Sequence, residues 1–286
     1  MRKDFVPRRQ TRRPRLGLVA VYAALVLGVA VTVFPLLYMA STSLKDQVYV
    51  LEVPPQLLPT NPTLDNFGAA WTSNHFSRYF LNSSIVALVT MALVLLLGSM
   101  MAHGLARYRF RGHRLVRALI LFFMVMPAMS LLVPQFVLAT RLGLLDSLAG
   151  VAIVHIAQGL PLATFILYGF MIGLPRELYE AALVDGAGAW RMYRSIALPL
   201  CRPALATVAI LAFLGSWDEY VWALTIINSA DQRTLPVGIA AFQGVHTSNW
   251  GLIFAASMIA VTPVIVLFAL LQRHVIRGLT AGALKG

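Results

Sequence analysis

Glu180-Ala181-Ala182-Leu183-Val184-Asp185-Gly186-Ala187, running on through Gly188-Ala189-Trp190 to Ile196-Ala197-Leu198-Pro199 and Pro203, lies between two long apolar runs. A connection so placed reads as the tip of a membrane hairpin, and its pattern is that of two short amphipathic helices with a glycine break. Pro175 suits a first helical turn, where its missing N–H is no loss. Leu178, Tyr179, Ala182 and Leu183 recur at helical period and make one apolar stripe. Gly186 and Gly188 offer the left-handed conformations that end a helix and turn the chain. Trp190, Tyr193 and Ile196-Ala197 make a second stripe, which Pro199 stops. Glu180 flanks the first stripe. It is open either to a cation from elsewhere or to Arg176 one turn earlier, a pairing worth about a few tenths of a kcal/mol.

Working outward, the chain of 286 residues is 59% hydrophobic and 12% charged, with a mean hydropathy of +0.76. A soluble domain carries about a quarter charged residues, so that class is excluded. The net charge of +12 does not indicate nucleic acid, because the basic residues sit in segments flanking apolar runs. The single cysteine, Cys201, excludes an intrachain disulfide and is read as a free structural thiol. Six runs are long enough to cross a hydrocarbon core, which needs about 20 residues. They lie near 17–41, 80–104, 118–140, 149–173, 204–227 and 251–272. Residues 1–15 form a basic segment expected on anionic lipid or in solvent, and the uncharged run from Leu16 to Leu44 is too long for a signal peptide. The fold class is therefore an all-α membrane protein with six transmembrane helices.

An even number of spans puts both termini on one side. With that topology 19 of the 23 lysines and arginines fall on the side of the termini, leaving Lys45, Arg78, Arg141 and Arg233 on the other. The bias makes the first side cytoplasmic, and the loop at 174–203 lands there. The arginines of residues 105–117 are read as lipid-phosphate contacts. On the outer side, Pro54-Pro55, Pro59 and Pro62 keep the 43–79 segment extended, and Thr63–Phe67 reads as a capped helical turn.

Ionisable groups inside a span cost at least about 2.5–3.5 kcal/mol, which makes them functional candidates. Asp218 and Glu219 are the acids placed inside one. They lie between Trp217 and Tyr220, and the four residues are candidates for a translocation path lined by hydroxyl-binding acceptors. The competing reading is a helix break near the outer interface, with both acids hydrated. His103, His155 and His246 stand singly, each read as a hydrogen-bonded structural histidine, and no metal site is expected. Pro127, Pro134, Pro161 and Pro263 interrupt spans and free backbone carbonyls there. None of the three lysines follows a glycine-rich phosphate loop, and no HExxH or G-x-S-x-G pattern is present, so no catalytic residue is assigned.

Glu180-Ala181-Ala182, three residues to Asp185-Gly186-Ala187, then Ile196-x-Leu198-Pro199 and Pro203 resembles the cytoplasmic coupling loop of ABC importer permease subunits. Trp217-Asp218-Glu219-Tyr220 and the ending Arg277-Gly278-Leu279-Thr280-Ala281-Gly282-Ala283-Leu284-Lys285-Gly286 are similar to the carbohydrate branch, in particular the second permease subunit of maltose-type importers. The similarity of organisation runs from about residue 16 to the end. It implies a type I importer permease fold for residues 16–286, in a bacterial-type inner membrane, with N- and C-termini cytoplasmic. It implies two ATPase subunits using ATP and magnesium, a second and different permease chain, and an external solute-binding protein delivering sugar. No cofactor is bound by this chain itself. On the same resemblance Glu180 contacts the ATPase, Leu178, Tyr179 and Leu183 enter its groove, and Gly186 permits the turn. Ala181, Ala182, Asp185, Ala187, Leu198 and Pro199 complete the coupling set, with Arg277, Gly278 and Lys285 as a second contact. A permease for a non-sugar solute would share the loop. A proton-coupled transporter would use Asp218 or Glu219 instead.

Overall fold

The computed structural model describes residues 15–46, 56–73, 75–242 and 249–283, and among these the chain is mostly helical with no strand. At its centre α3 (Phe76–Arg107) packs along α6 (Leu148–Ile172). Small residues let the two helices approach. A methyl group on Gly98 would lie 3.1 Å from the Ala163 Cβ, and one on Gly159 would lie 3.1 Å from Val94. Such close backbones gain van der Waals contact, which carries helix association where no water is displaced. Val94, Leu167 and Met171 fill the seam with Ala204 and Val208 of α10 (Arg202–Trp217).

The flanking helices follow from their composition. α1 (Arg15–Ser43) is apolar on every side and leaves Leu18 to Leu37 exposed, as suits a helix bathed in lipid. It packs on α13 (Trp250–Ala283), where Tyr38 meets the Phe254 ring edge-on at 6.4 Å. A helix starts in the Thr63–Phe67 stretch as expected, but its N-cap is Leu64, which gives no side-chain cap. The Thr63 hydroxyl accepts from the Asp65 N–H at 3.1 Å and opens α2 (Asp65–Thr72). Asn66 then donates to the Ser43 and Lys45 carbonyls at 3.0 and 2.6 Å, tying α2 to the end of α1. Pro54-Pro55, His246 and residues 1–14 lie outside the described residues.

Among the described residues four helices are long and apolar enough to cross a membrane singly: Gly17–Ser43, Phe76–Arg107, Leu148–Ile172 and Trp250–Arg273. The other two expected spans are broken. Within 118–140 the chain forms α4 (His113–Val125), a 3₁₀ turn and α5 (Leu132–Arg141), with a bend of 102°. The cause is Pro127, which forces Met126 into an extended conformation (ψ 125°). Within 204–227, α10 stops at Trp217 and a separate α11 (Val221–Ile226) follows. α10 itself makes an 80° bend with the helical segment Ala189–Leu200. Counting each bent pair as one span gives up to six, but the second pair takes in Ala189–Leu200 of the 174–203 loop and does not coincide with the expected 204–227 run. Pro161 and Pro263, by contrast, sit inside continuous helices.

Hydrogen bonds gather the short connections at one end of the bundle. Arg78 and Asn82 donate to the carbonyl of Asp231, and Asn82 also to that of Arg233 at 2.9 Å, while Ser83 accepts from the Leu235 N–H at the start of α12 (Leu235–Ala240). Asp146, in the left-handed region (φ 53°), accepts from the N–H groups of Asn228 and Ser229 and from the Ser229 hydroxyl. Those bonds hold its carboxyl below the usual range, the Ser229 backbone contributing most.

Candidate functional site: the 174–203 loop and the break at 218–220

At the opposite end of α3 the loop opens with α7 (Arg176–Val184), entered from Pro175. The helix ends as its glycine requires. Gly186 has φ 74°, and the N–H groups of Asp185, Gly186 and Ala187 return to the carbonyls of Ala181, Leu183 and Ala182. The second arm is α8 (Ala189–Met192), a π-turn at Tyr193–Ala197 and the short α9 (Leu198–Leu200). Gly188, at φ −71°, takes an ordinary extended conformation, so one glycine makes the turn.

The four-residue apolar stripe of α7 divides. Tyr179 and Ala182 turn inward and pack with Ala187, Met192, Leu174 and Ile196. Leu178, Glu180, Ala181, Leu183 and Val184 stay at the surface, Val184 at 88% exposure. A face of Leu178, Tyr179 and Leu183 together is therefore not available, since Tyr179 is only 7% exposed. Glu180 is exposed and makes no ion pair with Arg176, so the local pairing left open by the spacing does not form. Trp190 of the second arm is also exposed, whereas Ala197 and Cys201 are fully buried. Burial pushes the Cys201 thiol up to about 11.

Two residues without a sequence assignment to this loop hold its inner face. Arg107, expected among the lipid contacts, is half-buried and donates to the Met171 and Leu174 carbonyls at 2.7 and 3.3 Å. Its guanidinium carbon lies 3.7 Å from the centre of the Tyr179 ring. His103, one turn earlier, stacks on Tyr179 at 6.2 Å and meets Tyr193 at 5.4 Å. The Tyr193 hydroxyl reaches Ser99 at 2.8 Å. Burial raises the Tyr179 phenol, with the Arg107 charge opposing the shift. The signal was the i, i+4 spacing of His103 and Arg107 at a helix end, which puts both on one face.

The helix break leaves Trp217, Asp218 and Tyr220 lining one groove and turns Glu219 away from it. Trp217 is buried, stacks on Phe213 at 5.3 Å and donates its indole N–H to the Ala260 carbonyl. Asp218 and Tyr220 are exposed and line an open groove of about 430 Å³ with Pro236, Ile239 and Ser257. Glu219 turns the other way. Its carboxylate accepts from the N–H groups of Trp222 and Ala223 at 2.6 and 3.1 Å, capping α11, and lies 3.6 Å from His155 Nε2. A break is present, as one of the two readings held, with Asp218 exposed and Glu219 part-buried. Glu219 has its oxygens occupied. Arg277 and Gly278 lie in the last turns of α13, and Lys285 falls outside the described residues.

The arrangement is a membrane bundle with an open groove at one end and an exposed, stapled loop at the other. Residues 94–281 match the family described as binding-protein-dependent transport system inner membrane component, and the chain belongs to that family. It is thus a multi-pass inner-membrane transport component. Its relatives include the diacetylchitobiose uptake system permease protein NgcG of Streptomyces coelicolor, 35% identical over 92% of this chain and 88% of that protein. Another is the sulfoquinovosyl glycerol transport system permease protein SmoH of Agrobacterium fabrum, 36% identical over 88% of this chain and 89% of that one. The fold is similar to a chain in the crystal structure of a bacterial ABC transporter involved in import of the acidic polysaccharide alginate. There the TM-score is 0.78 at 20% identity, over 95% of this chain and 99% of the other.

Proposed function

We propose that this chain is one of two permease subunits of an ATP-driven sugar importer, with six spans, both termini in the cytoplasm and a type I importer arrangement. The observation that carries the reading is the loop of residues 174–203, whose inner side is fixed to the bundle while Leu178, Glu180, Leu183 and Val184 face outward. An exposed apolar rim around a carboxylate that has no ion pair among the described residues suits a protein partner. One of two ATPase subunits docks there; the pair burns ATP with magnesium and drives the bundle between inward- and outward-open forms. The second permease subunit is a different chain, and an external binding protein delivers the solute. A second ATPase contact is added through Arg277 and Gly278 of α13 and through Lys285, which follows in the sequence. At 34 residues α13 is about 50 Å long, more than a bilayer core requires.

Sugar is the solute class, because the relatives serve diacetylchitobiose and sulfoquinovosyl glycerol uptake. Asp218, Tyr220 and Ser257 in the open groove supply the acceptors and the ring face that hydroxyl-rich solutes use. The groove opens toward the second permease subunit, so the path lies between them.

The test is co-purification of the tagged chain in mild detergent, with a single cysteine placed at Val184. An ATPase and a second six-span chain are expected as companions. The new cysteine is expected to react with a membrane-impermeant maleimide in inverted vesicles and not in intact spheroplasts. Labelling in intact spheroplasts would reverse the topology and end the proposal. Native Cys201, at 0% exposure, stays silent in the same experiment.

A further inference from the structure

We infer that Arg107, seated on Tyr179, is the positioning residue through which movement of the 174–203 loop reaches the transmembrane helices, with His103 and Tyr193 as the second arm of the same joint. The inference rests on the reading of that loop as the ATPase-facing lever.

One planar cation holds three helices at once. Arg107 is the last residue of α3, its two hydrogen bonds go to carbonyls at and just beyond the end of α6, and its face covers a ring of α7. The end of a helix presents carbonyls without helical partners, and a cation is favoured there. A guanidinium fixes both distance and direction, because its donors form a rigid fork and its face stacks on an aromatic ring. An apolar contact would slide under load. This one cannot slide without breaking two bonds and a stack. The other arm is pinned likewise, by the Tyr193 hydroxyl on Ser99 and the Tyr193 ring on His103. Tyr193 begins a π-turn, a place where a helix can change register.

The test uses the complete transporter purified with its ATPase. Spin labels go on cysteines at Val184, on the loop, and at Ile153, an exposed position near the far end of α6. ATP with vanadate is the probe, so no solute need be known. With the joint intact the Val184–Ile153 distance holds on nucleotide binding, because loop and bundle move as one body. In Tyr179→Leu, which keeps bulk and loses the ring, the distance is expected to shift by several ångström. Tyr179→Phe, which loses the hydroxyl and keeps the ring under the guanidinium, is expected to restore the wild-type result. Arg107→Gln should behave like Tyr179→Leu. Should it fail to assemble, Tyr179→Leu decides alone, since it leaves the bonds of Arg107 to α6 in place. A shift in the wild-type complex, or none in Tyr179→Leu, overturns the joint. Failure of the wild-type chain to bring down any ATPase overturns the lever reading beneath it.

Discussion

Glu180 and Glu219 are the same side chain in opposite circumstances. Glu219 sits at a helix break inside the bundle, spends both oxygens on backbone N–H groups and faces His155. Glu180 stands on the exposed side of α7 with no ion pair to its own helix. The first is engaged by the fold and works for it. The second makes no ion pair among the described residues, and a partner's use of it is our proposal. Charge and membership of a motif did not distinguish them; the use of their hydrogen-bonding capacity does.

Breaking the internal one has the largest effect on stability. Glu219→Ala leaves two N–H groups of α11 uncapped and His155 unfaced, at a cost of about 2–3 kcal/mol. A lowered thermal midpoint of the purified protein in detergent checks this, and Glu219→Gln should recover part of the loss. Gly186→Val comes next. At φ 74° a β-branched residue costs about 1–2 kcal/mol, and the turn that sets α7 against α8 moves. Uptake driven by ATP is expected to fall while the protein still inserts. Glu180→Lys should change stability by no more than about 0.5 kcal/mol, as an exposed site does. Its effect is expected on function, as ATP hydrolysis that no longer drives uptake. Unchanged uptake would make the exposed glutamate as idle as an ordinary surface charge.

A third carboxylate sharpens the comparison at the smallest scale. Asp146 is exposed, yet its carboxyl is held down by hydrogen bonds from Ser229 and Asn228. A depressed carboxyl adds stability above its unfolded value, near 3.9, and loses it as pH falls through the lower folded value. Acid should therefore loosen the link between the 142–147 and 227–229 connections, read as faster amide exchange at Asn228 and Ser229. Asp146→Asn should show that loosening at neutral pH and no further change on acidification.

Much of this was legible in the chain. Long apolar runs between basic loops declare helices in lipid, because the backbone must satisfy itself there. The 17–41, 80–104, 149–173 and 251–272 runs accordingly appear as helices of about the expected extent. The turn at Gly186 was legible too, because few residues other than glycine accept a positive φ. Pro127 marked an interruption within 118–140, but hydropathy cannot report direction, so the size of that bend was not legible, and the bend before Arg202 falls outside the 204–227 run. Periodicity places Leu178, Tyr179, Ala182 and Leu183 on one side of a helix, but a stripe that wide straddles the boundary between bundle and solvent. Packing against Arg107 drew Tyr179 across it.

What the sequence determined alone was the class of solvent, the number of apolar runs, their sidedness as a proposal, and the loop that a partner would recognise. These depend on composition and local period, which are properties of neighbouring residues. The tertiary structure decided which glutamate is spent, which face of α7 remains open, and that Arg107 belongs to the protein and not to lipid. Each of those joins residues separated by tens of positions, such as Arg107 with Leu174 and His155 with Glu219. Only the packing of α3 against α6 and the break after α10 bring them within reach.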